Sequence, residues 1–355
     1  MRRQDAQSWL LTDLAELLPR LDYFRRSPAR LGGRGGHKEW QYFLVNTGAG
    51  HLLINFSLQD DPWAADPRRA EVGRLTLLAC GEAWVGGMER FPEAEVHVTP
   101  GSIDARLGAN TLRFEAGRYL LRVALREHAV AAELELVPTL RPLLFTNHPL
   151  APGEQLSWVV VPRLEARGTV TLGARTLRVD GAPAYHDHNW GHFRWGGDFS
   201  WEWAHALPPD PAHPWSAVFA RMMDRRRTGV RYQSLFLWKR GEAVRTFRDR
   251  DVRLLHAGRF QPARRLPVPP EMALLAPGLA CDLPARMELS AASGGDTFHL
   301  GFAARELAQV ITPGECGPCT VSVLNELSGR VVAHGRIGGE PIELEATGVY
   351  ELIRD

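Results

Sequence analysis

From residue 39 to the C-terminus, almost every apolar stretch of this chain is short and is stopped by Gly, Pro or Asp. Runs of that kind, alternating or continuous and rich in Val, Leu, Phe, Tyr and Trp, are strand signals. They fall at 42–46, 51–58, 74–79, 119–126, 130–137, 155–161, 168–172 and 176–179. Past the Pro-rich stretch 207–214 they resume at 215–222, 232–238, 285–289, 297–302, 320–324 and 348–353. No comparable helical pattern separates them. A parallel α/β sheet needs crossover helices, so the pattern predicts an all-β, antiparallel architecture of sandwich or barrel type.

At 355 residues the chain is too long for one ordinary core, since domains run roughly 100–200 residues. Two β domains are expected, 39–195 and 196–355, with the change at Gly196-Gly197. Residues 1–38 read as a separate segment. In it Leu10, Leu14, Leu17 and Leu21 recur at helical spacing and predict a short amphipathic helix, followed by a Gly-rich joint at 32–36.

Composition removes several function classes. Forty-two basic and 41 acidic side chains leave a net charge of +1, so no broad field draws nucleic acid or an anionic membrane. No run approaches the roughly 18 apolar residues of a membrane span, so stable membrane insertion is not expected. Four cysteines are too few to staple a secreted scaffold of this length, and a reducing, cytoplasmic setting is the simpler expectation. Lys38 and Lys239 are the only lysines, which leaves Schiff-base chemistry two candidates. The chain has no Walker loop, GxSxG elbow or HExxH. The sequence sets no oligomeric state.

Functional side chains concentrate at Tyr185-His186-Asp187-His188-Asn189-Trp190, followed by Trp201-Glu202-Trp203-Ala204-His205. In an extended strand alternate residues share a face. Tyr185, Asp187 and Asn189 therefore point one way and His186, His188 and Trp190 the other; likewise Trp201, Trp203 and His205 oppose Glu202 and Ala204. A carboxyl group beside a tyrosine in an apolar aromatic pocket has its ionised form disfavoured and can donate a proton near neutral pH. Aromatic faces stabilise the carbocation that alkene protonation creates and keep water from it. An equally open reading is a brace, in which Asp187 and the histidines tie two β domains together.

Two further patterns compete. His186-x-His188 is a strand-type chelate that His192 or His205 could complete as a metal site, but no second ligand pair lies nearby, and hydrogen bonding or orientation of Asp187 is the favoured role for both histidines. Cys316-Gly317-Pro318-Cys319 spells a redox motif, yet 320–324 alternates like a strand, so the helix that would activate the thiol is missing.

The central stretch Tyr185-His186-Asp187-His188-Asn189-Trp190-Gly191, with Trp158 and Pro162-Arg163-Leu164 before it and Trp201-x-Trp203 after it, resembles the CrtC/AttH-like lipocalin superfamily, which contains the carotenoid 1,2-hydratases. The resemblance implies two lipocalin-like barrel domains, a hydrophobic ligand site near their junction, and relatives that hydrate, cyclise or rearrange isoprenoid and polyene-like substrates without a redox cofactor. It places the proposed proton donor on Asp187 and its tyrosine partner on Tyr185. The expectation is a hydratase or cyclase that uses no cofactor or metal. In it Asp187 and Tyr185 do the chemistry and His186 and His188 tune it. Trp158, Asn189, Trp190, Trp201, Trp203 and His205 surround a hydrophobic small molecule. The alternatives are a non-catalytic carrier of such a molecule and a pericyclase.

Overall fold

Residues 13–25, 36–47, 50–60, 70–275, 282–317 and 320–354 are described by a computed structural model. Twelve strands form the first sheet: β1 (His37–Asn46), β2 (His51–Gln59), β3 (Glu71–Cys80), β4 (Trp84–Pro92), β5 (Val96–Val98), β6 (Asp104–Leu107), β7 (Asn110–Glu115), β8 (Arg118–Ala124), β9 (Val130–Pro138), β10 (Leu143–Ala151), β11 (Glu154–Leu172) and β12 (Arg175–His192). Their order is β4-β3-β2-β1-β12-β11-β9-β8-β7-β6-β5, with β10 on β11. The second sheet has β13 (Ser200–Ala206), β14 (Trp215–Met223), β15 (Val230–Lys239), β16 (Glu242–Arg248), β17 (Val252–Arg259), β18 (Arg265–Val268), β19 (Pro284–Ser293), β20 (Asp296–Pro313), β21 (Val321–Ile337) and β22 (Glu340–Arg354). It runs β16-β15-β14-β13-β22-β21-β20-β19-β17, and β18 joins β20 in the one parallel pairing among the described strands.

The all-β expectation holds, and the alternation within strands decides what each face does. Phe43, Val45, Ile54, Leu75, Leu77 and Val159 point into the first barrel and form its core. Their neighbours Tyr42, Leu44, Leu53, Leu78 and Val160 point outward. There they meet Trp203, Val218, Ala220, Phe236, Trp238 and Val349, the corresponding outer face of the second sheet. Phe219, Leu235, Phe302, Leu327 and Tyr350 fill the second barrel. Three apolar layers result, two inside the barrels and one between them.

The N-terminal helix exists, but not as a free-standing segment. Helix α1 spans Leu14–Leu21 and is capped by Asp13, whose side chain accepts from the Ala15 backbone N–H at 3.3 Å. Leu17, Leu18 and Leu21 are buried in the first barrel's core. A side chain as fully buried as Leu18 contributes about 2 kcal/mol. Leu10 and residues 32–35 of the Gly-rich joint lie outside the described residues. Residues 193–199 cross from the first sheet to the second, and Phe193, Trp195 and Phe199 pack there against Trp201 and Ile353. Of the cysteine pair, Cys316 is exposed with a free thiol and Cys319 lies outside the described residues; β21 begins directly after them. Among the described residues, no helix is long and apolar enough to cross a membrane.

Candidate active site

The fold places the 185–190 stretch mid-sheet, on β12 between β1 and β11. Asp187 lies opposite Tyr42 on one side and Val160 on the other. Being central, the strand is covered on both faces, and its alternation creates two buried environments.

The outer face looks into a cleft between the sheets. Trp40, Tyr42, Trp158, Asp187, Asn189, Trp201 and Trp203 line it, with Leu156, Ala220 and Met222 completing the apolar wall. Asp187 is 6 % exposed. The Tyr185 hydroxyl donates to its Oδ2 at 2.8 Å, and the Asn189 amide donates to Oδ1 at 2.9 Å, so both carboxyl oxygens are held in place. Burial raises the Asp187 pKa from 3.8 to about 7. Tyr185, His186 and Trp158 pull it back, while Glu351 adds to the rise. No arginine or lysine forms an ion pair with it among the described residues, which is why desolvation wins. The rings close around it: Tyr185 to Trp203 at 5.1 Å, Tyr42 to Trp203 at 5.7 Å, and Trp40 stacked on Trp201 at 5.9 Å.

The inner face is a charged network inside the first barrel. His186 bonds the Tyr42 carbonyl through Nδ1 at 2.9 Å and Asp22 Oδ2 through Nε2 at 2.9 Å. His188 bonds Asp22 Oδ1 through Nδ1 at 3.0 Å and Glu39 Oε1 through Nε2 at 2.8 Å. Tyr119 also donates to Asp22 Oδ2, at 2.6 Å. Asp22, the residue that ends α1, is thus locked by three side chains, although neither it nor either histidine is exposed. Burial would raise the Asp22 pKa, but His186 and His188 hold it well below the usual carboxylate range. For His188, burial would lower the pKa, and the hydrogen bonds to Asp22 and Glu39 outweigh it and raise the value. All four imidazole nitrogens of the two histidines are engaged, and no group of three metal-ligating side chains forms among the described residues.

The cleft thus brings together Trp158, Asp187, Asn189, Trp201 and Trp203, with Tyr185 just behind. Other expected members lie elsewhere. His186 and His188 touch neither the cleft nor the Asp187 carboxyl group, because alternation turns them inward. Trp190 shares that inward face: it sits 5.0 Å from His188, with the Arg25 guanidinium 3.3 Å over its ring, so it does not shape the cavity. His205 packs behind Tyr185 at 4.5 Å rather than lining the cleft, and burial pushes its pKa down to about 3.

Pattern reading missed the second sheet's contribution. Glu351 on β22 lines the cleft and accepts from the Trp201 indole N–H. Directly across the ladder on β21 stands Glu326, 2 % exposed. Burial first, then the neighbouring Glu351 charge, raises the Glu326 pKa well above the usual carboxylate value. The available signal was a carboxylate inside an otherwise apolar alternation, Val349-x-Glu351-x-Ile353.

No protein-family model matches the chain, and no curated protein matches its sequence. Solved structures do. A protein named as an AttH from Nitrosomonas europaea superposes with a TM-score of 0.59 at 14% identity, covering 94% of this chain and 97% of that one. Kievitone hydratase from Nectria haematococca gives 0.56 at 13%, covering 94% and 97%. CghA, solved with Sch210972, gives 0.61 at 13%, covering 90% and 88%. The chain has the CrtC/AttH-like lipocalin fold. Coverage of nine-tenths or more of the chain means that both barrels and the layer between them belong to this lipocalin fold. At such identities the agreement is one of architecture, and the chemistry must come from the cleft itself.

Proposed function

We propose that the cleft binds an apolar, polyene-like or isoprenoid small molecule and that Asp187 is the proton donor of a cofactor-independent hydration or cyclisation. The observation that carries this is a carboxyl group kept neutral to about pH 7, oriented by Tyr185 and Asn189, in a wall of aromatic rings. Asp187 transfers its proton to one alkene carbon, forming a C–H bond and leaving a carbocation and the Asp187 carboxylate. The faces of Trp158, Trp201 and Trp203 stabilise that charge. Water adds to the cation and loses a proton to the carboxylate, which regenerates the acid and completes the addition of water. In the cyclising variant an internal double bond captures the cation, and the carboxylate takes a proton from the adjacent carbon. That kievitone hydratase shares the fold supports the hydratase class, and CghA, of the same fold, was crystallised with Sch210972.

Asp187→Asn tests the reading. Acyclic isoprenoid alcohols such as geranylgeraniol serve as probes, with binding read by tryptophan quenching and conversion by mass spectrometry. The variant should bind as the wild type does while turnover falls by about 10²–10⁴. Unchanged turnover removes Asp187 from the mechanism. Binding without turnover in the wild type leaves a carrier in place of an enzyme.

A further inference from the structure

A second cavity adjoins the cleft. Trp40, Trp201 and Glu351 line both. Its wall on the first sheet is polar: Lys38 on β1, Asn55 on β2, and Arg74 and Thr76 on β3. Strand alternation explains the set. Leu75 and Leu77 enter the barrel core, so Arg74 and Thr76 must face the layer between the sheets.

Arg74 is the anomaly. It is 6 % exposed, its Nε has no hydrogen-bond partner, and no carboxylate lies within ion-pair distance of it among the described residues. The nearby acids are committed elsewhere. Glu71 pairs with Arg90 at 3.1 Å, and Glu315 pairs with Lys38 at 2.8 Å. Arg90 adds repulsion, and burial with that repulsion lowers the Arg74 pKa to about 10, still well above neutrality, so the guanidinium remains charged. Glu71 and Glu315 attract Arg74 from a distance, and Glu326 and Glu351 line the same cavity without pairing with it. A desolvated cation without a counter-ion is costly, and an apolar side chain at this position would pack without that cost. The guanidinium fork is built to receive a planar oxyanion through two parallel hydrogen bonds.

We propose that Arg74 anchors the carboxylate of an amphiphilic ligand, whose apolar body extends past Trp40 and Trp201 into the Asp187 cleft. This rests on the reading of that cleft as an apolar ligand site and narrows its substrate class to acids. The acid end fixes the position of the chain, and so selects which carbon lies beside Asp187.

The test compares dodecanoate, dodecanol and acetate by calorimetry and tryptophan quenching on the wild type, Arg74→Met, Arg74→Lys and Asp187→Asn. Dodecanoate should bind the wild type at least about tenfold more tightly than dodecanol. Arg74→Met should erase that preference while keeping dodecanol affinity, Arg74→Lys should keep part of it, and Asp187→Asn should keep all of it. Arg74→Met should also melt at or above the wild-type temperature, because a buried unpaired charge has been removed; a large fall assigns Arg74 a structural role and overturns the proposal. Equal binding of acid and alcohol by the wild type overturns the Arg74 assignment and leaves the cleft reading standing. Acetate binding as tightly as dodecanoate reduces the site to a simple anion pocket and overturns the amphiphile. Failure of both dodecanoate and dodecanol to bind overturns this inference and the cleft reading together.

Discussion

The two faces of β12 bury carboxyl groups to the same depth and give them opposite charge states. Inside the barrel, Asp22 and Glu39 are fully buried yet stay ionised, because His186 and His188 donate to them. On the other side of the same strand, Asp187 receives hydrogen bonds from an uncharged tyrosine and an uncharged amide, and its pKa climbs to about 7. Desolvation acts on both. The charge of the hydrogen-bond donor decides the outcome. Histidine donors accompany lowered carboxyl pKa values in the tie between α1 and the sheet; a phenol and an amide leave the Asp187 pKa raised. The histidines tie α1 to the first sheet, not one β domain to the other, and Asp187 stands apart from them in the cleft.

The largest effect should come from breaking the inner face. Asp22→Asn leaves His186 and His188 without their shared anion in a site closed to water, and should cost about 3–5 kcal/mol in urea or guanidinium denaturation near neutral pH. The depressed Asp22 pKa means that this contribution is present above pH 3.8 and is lost as pH falls toward the lower native value. The raised His188 pKa adds a part that is full below pH 6.5 and disappears as pH rises through the higher native value. If the variant is as stable as the wild type, the inner network is not a brace.

The outer face should show the reverse dependence. Because the Asp187 pKa rises from 3.8 to about 7, the unfolded chain releases a proton that the folded one keeps, and wild-type stability falls as pH climbs between those values. Asp187→Asn has no such loss. Its stability relative to the wild type should rise by on the order of 2–4 kcal/mol from pH 4 to pH 7 and then level off. A difference that stays flat with pH would mean that Asp187 is already ionised, and the contrast between the faces would collapse. The smallest effect should be that of Glu326→Gln, which replaces a carboxyl already neutral with an amide of the same shape. Stability at about pH 4, where the unfolded chain also keeps this proton, should move by less than about 1 kcal/mol, the variant should gain on the wild type as pH rises from there, and the difference infrared spectrum should lose one protonated-carboxyl carbonyl band. A larger loss of stability would place Glu326 among the ionised groups.

Much of this architecture is legible from alternation alone, because a half-buried strand writes its two faces into odd and even positions. That is why Tyr185, Asp187 and Asn189 separate from His186 and His188 before any coordinates exist. Trp190 was assigned to the cavity for being aromatic, although its own register put it with the histidines. Strand continuity was harder to see. Residues 168–172 read as the start of a strand, whereas Gly168 lies inside β11 at a positive φ of 136°, where an added Cβ would come 2.0 Å from the Glu133 carbonyl oxygen. The glycine there permits an irregularity and does not end the strand. Strands such as β4, with Gly86-Gly87, and β10, with Pro149, were hidden by the same punctuation. Asp22, Arg74, Glu326 and Glu351 were not legible as site residues, because a charge gains its meaning from partners far along the chain. Asp22 meets His186 across 164 positions.

The shared position of both systems on β12 has a consequence for how this protein can vary. A single exchange at 185–190 alters a side chain that faces only one of the two compartments. A single inserted or deleted residue upstream on that strand is different: it would turn imidazoles toward the cleft and drive an un-neutralised aspartate into the barrel. The length of β12, more than the identity of any one residue in it, is what keeps the cleft carboxyl group and the buried histidine network apart.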